Sequence, residues 1–380
     1  MWGKNQIKIF FGSNHQKNNF QKGQPIMDNG IDEDINEIVL RLSKEQINFK
    51  GKVVLVTGGA GFLGSWVCDV LVKQGASCIC IDNLSSGRFK NISHLLDEPN
   101  FRFINHDIAK PIYFGLTHHP NGICVGDIKR IDTIMHMASR ASPFEFKKYP
   151  IPILKSNTLG TMNALGIAKA HNALFFYTST SEVYGNPPES AVPTSESYFG
   201  HVNPVGPRSC YDESKRAGEA FVKAYELQHG IKTKIVRIFN TSGPRIRYGP
   251  EYGRVVPNFI HQALNDDDIT VFGDGSQTRS FTYVTDEIEG ILKMVHKDEA
   301  LGEVINLGNN KEYTILELAN LIKEMTDSNS KIVLKPLPID DPVRRCPDIS
   351  KAKKLLNWEQ ITPLKVALEK TIAWFKRNEE

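Results

Sequence analysis

The chain has 380 residues, enough to bury a large core and to form more than one domain. Its 46 Lys and Arg against 43 Asp and Glu leave a net charge of +3, and no dense basic block gives ground for nucleic-acid binding. No apolar run is long enough for a signal peptide or a membrane anchor, so the expectation is a soluble, cytoplasmic protein with no membrane partner.

Residues 1–30 are rich in Asn, Gln, Lys and Gly and read as a disordered tail, with Met27 an alternative start. From Ile31 the apolar positions Ile35, Ile38, Val39 and Leu42 keep helical spacing, and Asp32, Glu33 and Asp34 favour a helix start there. This predicts a helix over 31–49 packed beside the main domain. The six cysteines form no C-x-x-C pair and read as reduced thiols.

Apolar strand-like runs at 53–56, 78–81, 101–104, 133–137, 174–177 and 234–238 alternate with helical stretches. The alternation predicts an α/β fold: a doubly wound parallel-sheet Rossmann domain over about 50–240. Residues 241–380 read mainly as a smaller substrate-binding domain interleaved with it, closing over the sheet's carboxyl edge. Within it, Thr314-x-x-Glu317 fits a capping box, and a further helix is expected over about 363–377. Residues 115–130 look like a surface insertion without a role.

Three segments carry chemistry. After the first strand, Gly58, Gly59, Gly61 and Gly64 form a Gly-rich turn before a helical stretch. Such a turn lets backbone N–H groups and a helix N-terminus approach a pyrophosphate. Asp82 ends the next strand, where a carboxylate accepts hydrogen bonds from ribose hydroxyls and repels a 2′-phosphate. That favours NAD, although Arg88 nearby keeps NADP in play. Asp107, followed by Ile108, has two readings, a contact with the adenine amino group or a strand-ending turn.

Tyr211 and Lys215 lie one helical turn apart and can face one cleft. A phenol of pKa about 10 is a poor base at neutral pH. A nearby ammonium and the positive nicotinamide lower it, so Tyr211 could take a proton from a sugar hydroxyl as hydride leaves the same carbon. Thr180, at the end of another strand, can hydrogen-bond that hydroxyl.

These residues resemble the extended short-chain dehydrogenase/reductase family over about 50–375, and within it the UDP-glucuronate decarboxylases. The segments 180–185, 200–208, 237–241, 253–259 and 275–279 carry the likeness. The resemblance implies NAD held by Gly58, Gly61, Phe62, Leu63, Gly64, Asp82, Asn83, Ser86, Gly87, Asp107 and Ile108. It implies Thr180, Glu182, Tyr211 and Lys215 as catalytic residues. Lys155, Asn157, Asn240, Arg254, Asn258, Arg279 and Arg345 are expected near a UDP-sugar substrate. No metal is expected. A homodimer is expected, through helices near 154–172 and 208–229.

Position 181 discriminates among reactions. Related 4,6-dehydratases carry Asp there to protonate the departing hydroxyl, whereas Ser181 cannot serve as a carboxylic acid. Decarboxylation needs no such acid, because oxidation at carbon 4 places a ketone β to the carboxylate on carbon 5. Glu182 would position the ring or handle the proton returning to carbon 5. Returned hydride would then give UDP-xylose. The alternatives are a decarboxylase that releases the 4-keto pentose, a 4-epimerase, and a non-catalytic dinucleotide sensor. Arg140 departs from the decarboxylase pattern, which tends to have Pro, and reads equally as a solvated charge or a sugar contact.

Overall fold

The computed structural model describes residues 10–11, 29–119, 122–249, 252–337 and 343–378. The expected tail over 1–30, with Met27, lies outside the described residues except for positions 10, 11, 29 and 30. Two compact units emerge. One comprises Met1–Ser139, Lys155–Tyr177 and Ala220–Lys234; the other comprises Arg140–Leu154, Thr178–Glu219 and Ile235–Glu380.

In chain order the elements that matter are helix α1 (Asn29–Lys44), strand β1 (Val53–Thr57), α2 (Phe62–Lys73), β2 (Ser77–Asp82), β3 (Phe101–Asn105) and β4 (Thr133–His136). Then come α3 (Pro143–Lys148), α4 (Pro150–Asn157), α5 (Leu159–His171), β5 (Leu174–Thr180), α6 (Ser209–His229) and β6 (Thr233–Ile238). The remainder are α7 (Val255–Leu264), α8 (Val284–His296), β7 (Val304–Leu307), α9 (Ile315–Thr326), α10 (Ser350–Leu356) and α11 (Leu364–Asn378).

The seven strands form a parallel sheet in the order β3-β2-β1-β4-β5-β6-β7, with the two-residue strand Phe10–Phe11 beside β3. Strand order reverses at β1, the place where doubly wound sheets bind nucleotides. Val54, Leu55, Val56, Cys78, Ile79, Cys80 and Ile81 are buried, as expected of near-continuous apolar runs covered on both faces. In the first unit α1 buries Ile35, Ile38 and Leu42 and packs on α2, as its spacing predicts. In the second unit α8 is buried from Val284 to Val295, and Trp358 Nε1 donates to the Asp286 carbonyl at 2.8 Å. The Thr314–Glu317 capping box forms at the start of α9.

The expected insertion at 115–130 is more ordered than a plain surface loop. Strand Ile123–Val125 lies within it and pairs in parallel with Ile112–Phe114 just before it. Three-residue strands are too short to show a period in sequence.

Candidate active site

The cofactor loop follows directly from β1. Gly58, at φ +72°, takes a left-handed turn, and a Cβ there would fall 2.7 Å from Ala138 Cα. A Cβ on Gly64 would fall 2.2 Å from the Gly58 carbonyl oxygen, so the start of α2 packs on the loop backbone. α2 begins after Gly61 with no side chain capping it. The N–H groups of Phe62, Leu63 and Gly64 therefore stand in a first turn that lacks intrahelical acceptors, which fits a pyrophosphate in charge and hydrogen bonding.

At the end of β2, the buried Asp82 carboxylate accepts Ala60 N–H at 3.0 Å and Leu84 N–H at 2.8 Å. Burial pushes its pKa up while these two N–H groups pull it back. Each oxygen keeps a second lone pair for a ribose hydroxyl. Gly87 lies against the same carboxylate, Ser86 is half-buried, and exposed Asn83 accepts Ser85 N–H at 3.0 Å. Of the two readings of Asp107, the structure contains the turn: its Oδ1 accepts Ala109 N–H at 3.0 Å. Ile108 is buried, and its carbonyl accepts Asn163 Nδ2 at 2.8 Å. On α4, Lys155 is exposed and Asn157 buried. Sequence reasoning passed over His136, a buried hub bonded to Thr57 at 2.8 Å and to Thr161 at 3.1 Å.

The second unit gathers the side chains expected to react. β5 ends at Thr180, whose Oγ1 accepts Glu182 N–H at 3.3 Å and sets the turn that follows. Tyr211 and Lys215 are both buried on α6, and the Tyr211 hydroxyl hydrogen-bonds the Thr180 side chain. The Tyr211 ring stacks on Phe146, with centroids 4.9 Å apart. Lys215 Nζ donates to the Thr178 carbonyl at 2.7 Å. Ser179 donates to Glu219 at 2.6 Å and Arg237 grips the same carboxylate at 2.7 Å, fastening the end of β5 to α6.

The electrostatics differ from what the Tyr–Lys spacing predicts. Burial pushes the Tyr211 phenol above its usual range, with the Thr180 hydrogen bond and Arg254 pulling the other way. Burial also brings Lys215 down to about 7, with Glu219 opposing. The protein alone thus makes Tyr211 a weaker acid than a free phenol, because desolvation outweighs every charge the chain places near it.

Glu182 shows the reverse balance. Burial acts to raise its pKa, but Arg208 and Arg345 prevail and hold it at about 2. Arg208 Nη2 donates to Oε2 and Arg345 Nη1 to Oε1. The other edge of Arg345, Nε and Nη2, is buried without a hydrogen-bond partner. Such an edge accepts a carboxylate side-on. Arg208 stood in sequence only as part of a motif, and its clamp on Glu182 was not foreseen.

Of the other predicted substrate residues, Arg254 stands electrostatically near Tyr211 and Glu145. Arg279 is buried, and its Nη1 donates to the Thr278 carbonyl at 2.8 Å. Asn240 Nδ2 donates to the Ser280 carbonyl at 3.4 Å. Asn258 is engaged in its own loop, accepting Gly249 N–H at 2.8 Å and donating to the Tyr252 carbonyl at 2.9 Å. Arg140 is not a solvated charge: it pairs with buried Glu145 and lies 4.3 Å from the Tyr149 ring centre. Among the described residues no group of His, Cys, Asp and Glu could hold a metal ion, and no helix is long and apolar enough to cross a membrane.

The first unit carries a glycine turn that fits a dinucleotide, and the second a buried Thr–Tyr pair of hydroxyls, the two kinds of group that an enzyme acting at a hydroxyl-bearing carbon uses. Residues 54–308 match the NAD dependent epimerase/dehydratase family, and the chain belongs to that family, with NAD as its cofactor. It is 46% identical over 329 residues to UDP-glucuronic acid decarboxylase 1 of Danio rerio, covering 87% of this chain and 74% of that protein. A solved epimerase from Methanothermobacter thermautotrophicus aligns with TM-score 0.77 and 30% identity, over 91% of this chain and 96% of its own. The UDP-glucuronic acid 4-epimerase of Bacillus cereus, solved with UDP-glucuronic acid and NAD, aligns with TM-score 0.72 and 28% identity, over 85% and 99%.

Proposed function

We propose that the chain converts UDP-glucuronate to UDP-xylose by oxidation at carbon 4, loss of carbon dioxide and re-reduction with retained NADH. The observation that carries this reading is its 46% identity to a UDP-glucuronic acid decarboxylase, well above the 28–30% shared with the solved epimerases. The site is consistent with it. Ser181 supplies no carboxylic acid for dehydration, and the open edge of Arg345 suits a sugar carboxylate.

When bound, NAD would supply the hydride acceptor, and later the hydride donor, for carbon 4. Gly58, Gly61, Gly64 and the first turn of α2 would hold its pyrophosphate, and Asp82 its ribose. Thr180 orients the hydroxyl on carbon 4, and Tyr211 takes its proton. Thr180 and Arg254 oppose the desolvation that raises the phenol's pKa, a positive nicotinamide would add to them, and Lys215 holds the Thr178 carbonyl beside the pair. The resulting ketone is β to the carboxylate, so the bond to the carboxyl carbon breaks and its electron pair remains as an enolate. Hydrogen bonds from Thr180 and Tyr211 stabilise that enolate oxygen. Arg254, Arg279 and Asn240 serve the nucleotide diphosphate, and Asn258 shapes the loop before α7. Exposed Leu159, Met162 and Leu227 on α5 and α6 suit a homodimer interface. Six free cysteines suit a cytoplasmic setting.

Purified protein incubated with UDP-glucuronate, without added NAD, tests the proposal by NMR. UDP-xylose and carbon dioxide formed catalytically, with no net NADH, support it. A 4-keto pentose accumulating only with added NAD marks an enzyme that releases its product early. UDP-galacturonate without carbon dioxide marks a 4-epimerase, and no turnover a sensor.

A further inference from the structure

Arg140 and Glu145 form an ion pair that the reaction just described leaves unused. Glu145 lies in the first turn of α3, is 5% exposed, and accepts Arg140 Nη1 at its Oε1. Arg140 is held a second time, because its guanidinium lies over the Tyr149 ring, 4.3 Å from the centre. A carboxylate taken out of water needs such a partner, since an isolated buried charge is strongly destabilising.

Within the second unit, α3 packs on two segments that the substrate reading uses. Phe146 stacks on Tyr211 of α6, with ring centroids 4.9 Å apart, and its carbonyl accepts Cys210 Sγ at 3.7 Å. Phe144 covers Gly253, just before α7: a Cβ there would fall 2.1 Å from Phe144 Cδ2. Glu145 follows Phe144 and Arg254 follows Gly253, so carboxylate and guanidinium stand on facing segments. Glu145 and Tyr211 are the groups whose charge supports Arg254 against its burial.

A carboxylate beside Arg254 is a rival to a diphosphate ligand. Without a cation of its own, it would draw on the guanidinium that the phosphates need and cancel its charge. Arg140 removes that rivalry, since two guanidiniums against one carboxylate leave one positive charge over. Resting on the reading of Arg254 as a diphosphate ligand, we propose that Arg140 is a positioning residue: it occupies Glu145 and so keeps Arg254 available to the pyrophosphate of a UDP-sugar. Position 140 then answers to position 145. A Pro at 140 could not neutralise this buried carboxylate.

The test measures UDP binding by titration calorimetry, on protein carrying its NAD, together with turnover of UDP-glucuronate. A wild type that binds no UDP removes the UDP-sugar reading itself, and this proposal with it. The UDP arm decides even where UDP-glucuronate is not turned over. With a wild type that binds, Arg140→Met is expected to weaken UDP about tenfold and to raise KM alike, with kcat within about threefold. Adding Glu145→Gln to that variant should return both to within about threefold of wild type, because the rival carboxylate is gone. Unaltered UDP binding by Arg140→Met, a fall in kcat in place of the rise in KM, or a loss that Glu145→Gln does not repair overturns the proposal. If Arg140→Met does not fold, Glu145→Gln alone decides. It should bind UDP within about threefold of wild type, whereas a loss of about tenfold would make Glu145 itself the group that positions Arg254 and overturn the proposal.

Discussion

The cofactor cradle and the reacting cluster that we propose are built on different physics. The cradle is made of backbone: a left-handed glycine, an uncapped helix start, and N–H groups that fix Asp82. Its core parts lie within one stretch from β1 to Ala109. The reacting cluster is made of side chains from separate stretches: Phe146, Thr180 and Glu182, Arg208 to Lys215, and Arg345. Steric fit decides the first, whereas the balance between burial and charge decides the second. A substitution in the cradle should therefore act on cofactor retention, and one in the cluster on chemistry.

Tyr211→Phe gives the largest expected effect. Loss of the phenol should cut turnover about 10³-fold while NAD content, measured in acid extracts, stays at the wild-type level. Loss of bound NAD along with activity would erase the contrast. Gly64→Ala should do the opposite. Its Cβ would meet the Gly58 carbonyl at 2.2 Å, so NAD retention should fall at least about tenfold and stability by about 1–3 kcal/mol. Calorimetry with and without NAD measures both.

Arg345→Met sharpens the comparison on the electrostatic side. Glu182's depressed pKa contributes stability above the unfolded carboxylate pKa of about 4.3, lost as pH falls towards about 2. With one guanidinium removed, that acid loss should shrink and finish at higher pH in urea titrations, and kcat should fall about 100-fold. An unchanged acid limb would mean that Arg208 alone holds Glu182.

The smallest effect is expected at Glu287, which is fully buried with its pKa pushed up to about 8 by burial. Its raised pKa means that stability is lost as pH rises from the unfolded value of about 4.3 to about 8. Glu287→Gln should remove that loss and raise Tm by about 2–4 °C at pH 8, but not at pH 5. An equal shift at both values would point to packing instead.

The same contrast explains what the amino-acid sequence revealed. β1 to β6 announced themselves as apolar runs, and the α9 cap as Thr314-x-x-Glu317, because each depends on neighbours a few residues away. The cradle was legible for the same reason. Arg208 and Arg345 were visible as cations, but their convergence on Glu182 depends on contacts 26 and 163 positions away. The direction of the Tyr211 shift was also hidden, since spacing shows a nearby Lys but not the depth of burial that raises the phenol's pKa. Arg140 looked ambiguous until its partner Glu145 and the Tyr149 ring were in view.

The 163-residue reach from Glu182 to Arg345 also has a consequence for biosynthesis. A ribosome delivers the glycine loop early and Arg345 late, and domains fold as units with the N-terminal parts first. A nascent chain halted before Arg345 would leave Glu182 with one guanidinium in place of two. The second ion pair thus acts as a completion mark: the acidic centre reaches its final charge balance only once Arg345 has been translated and has folded onto it.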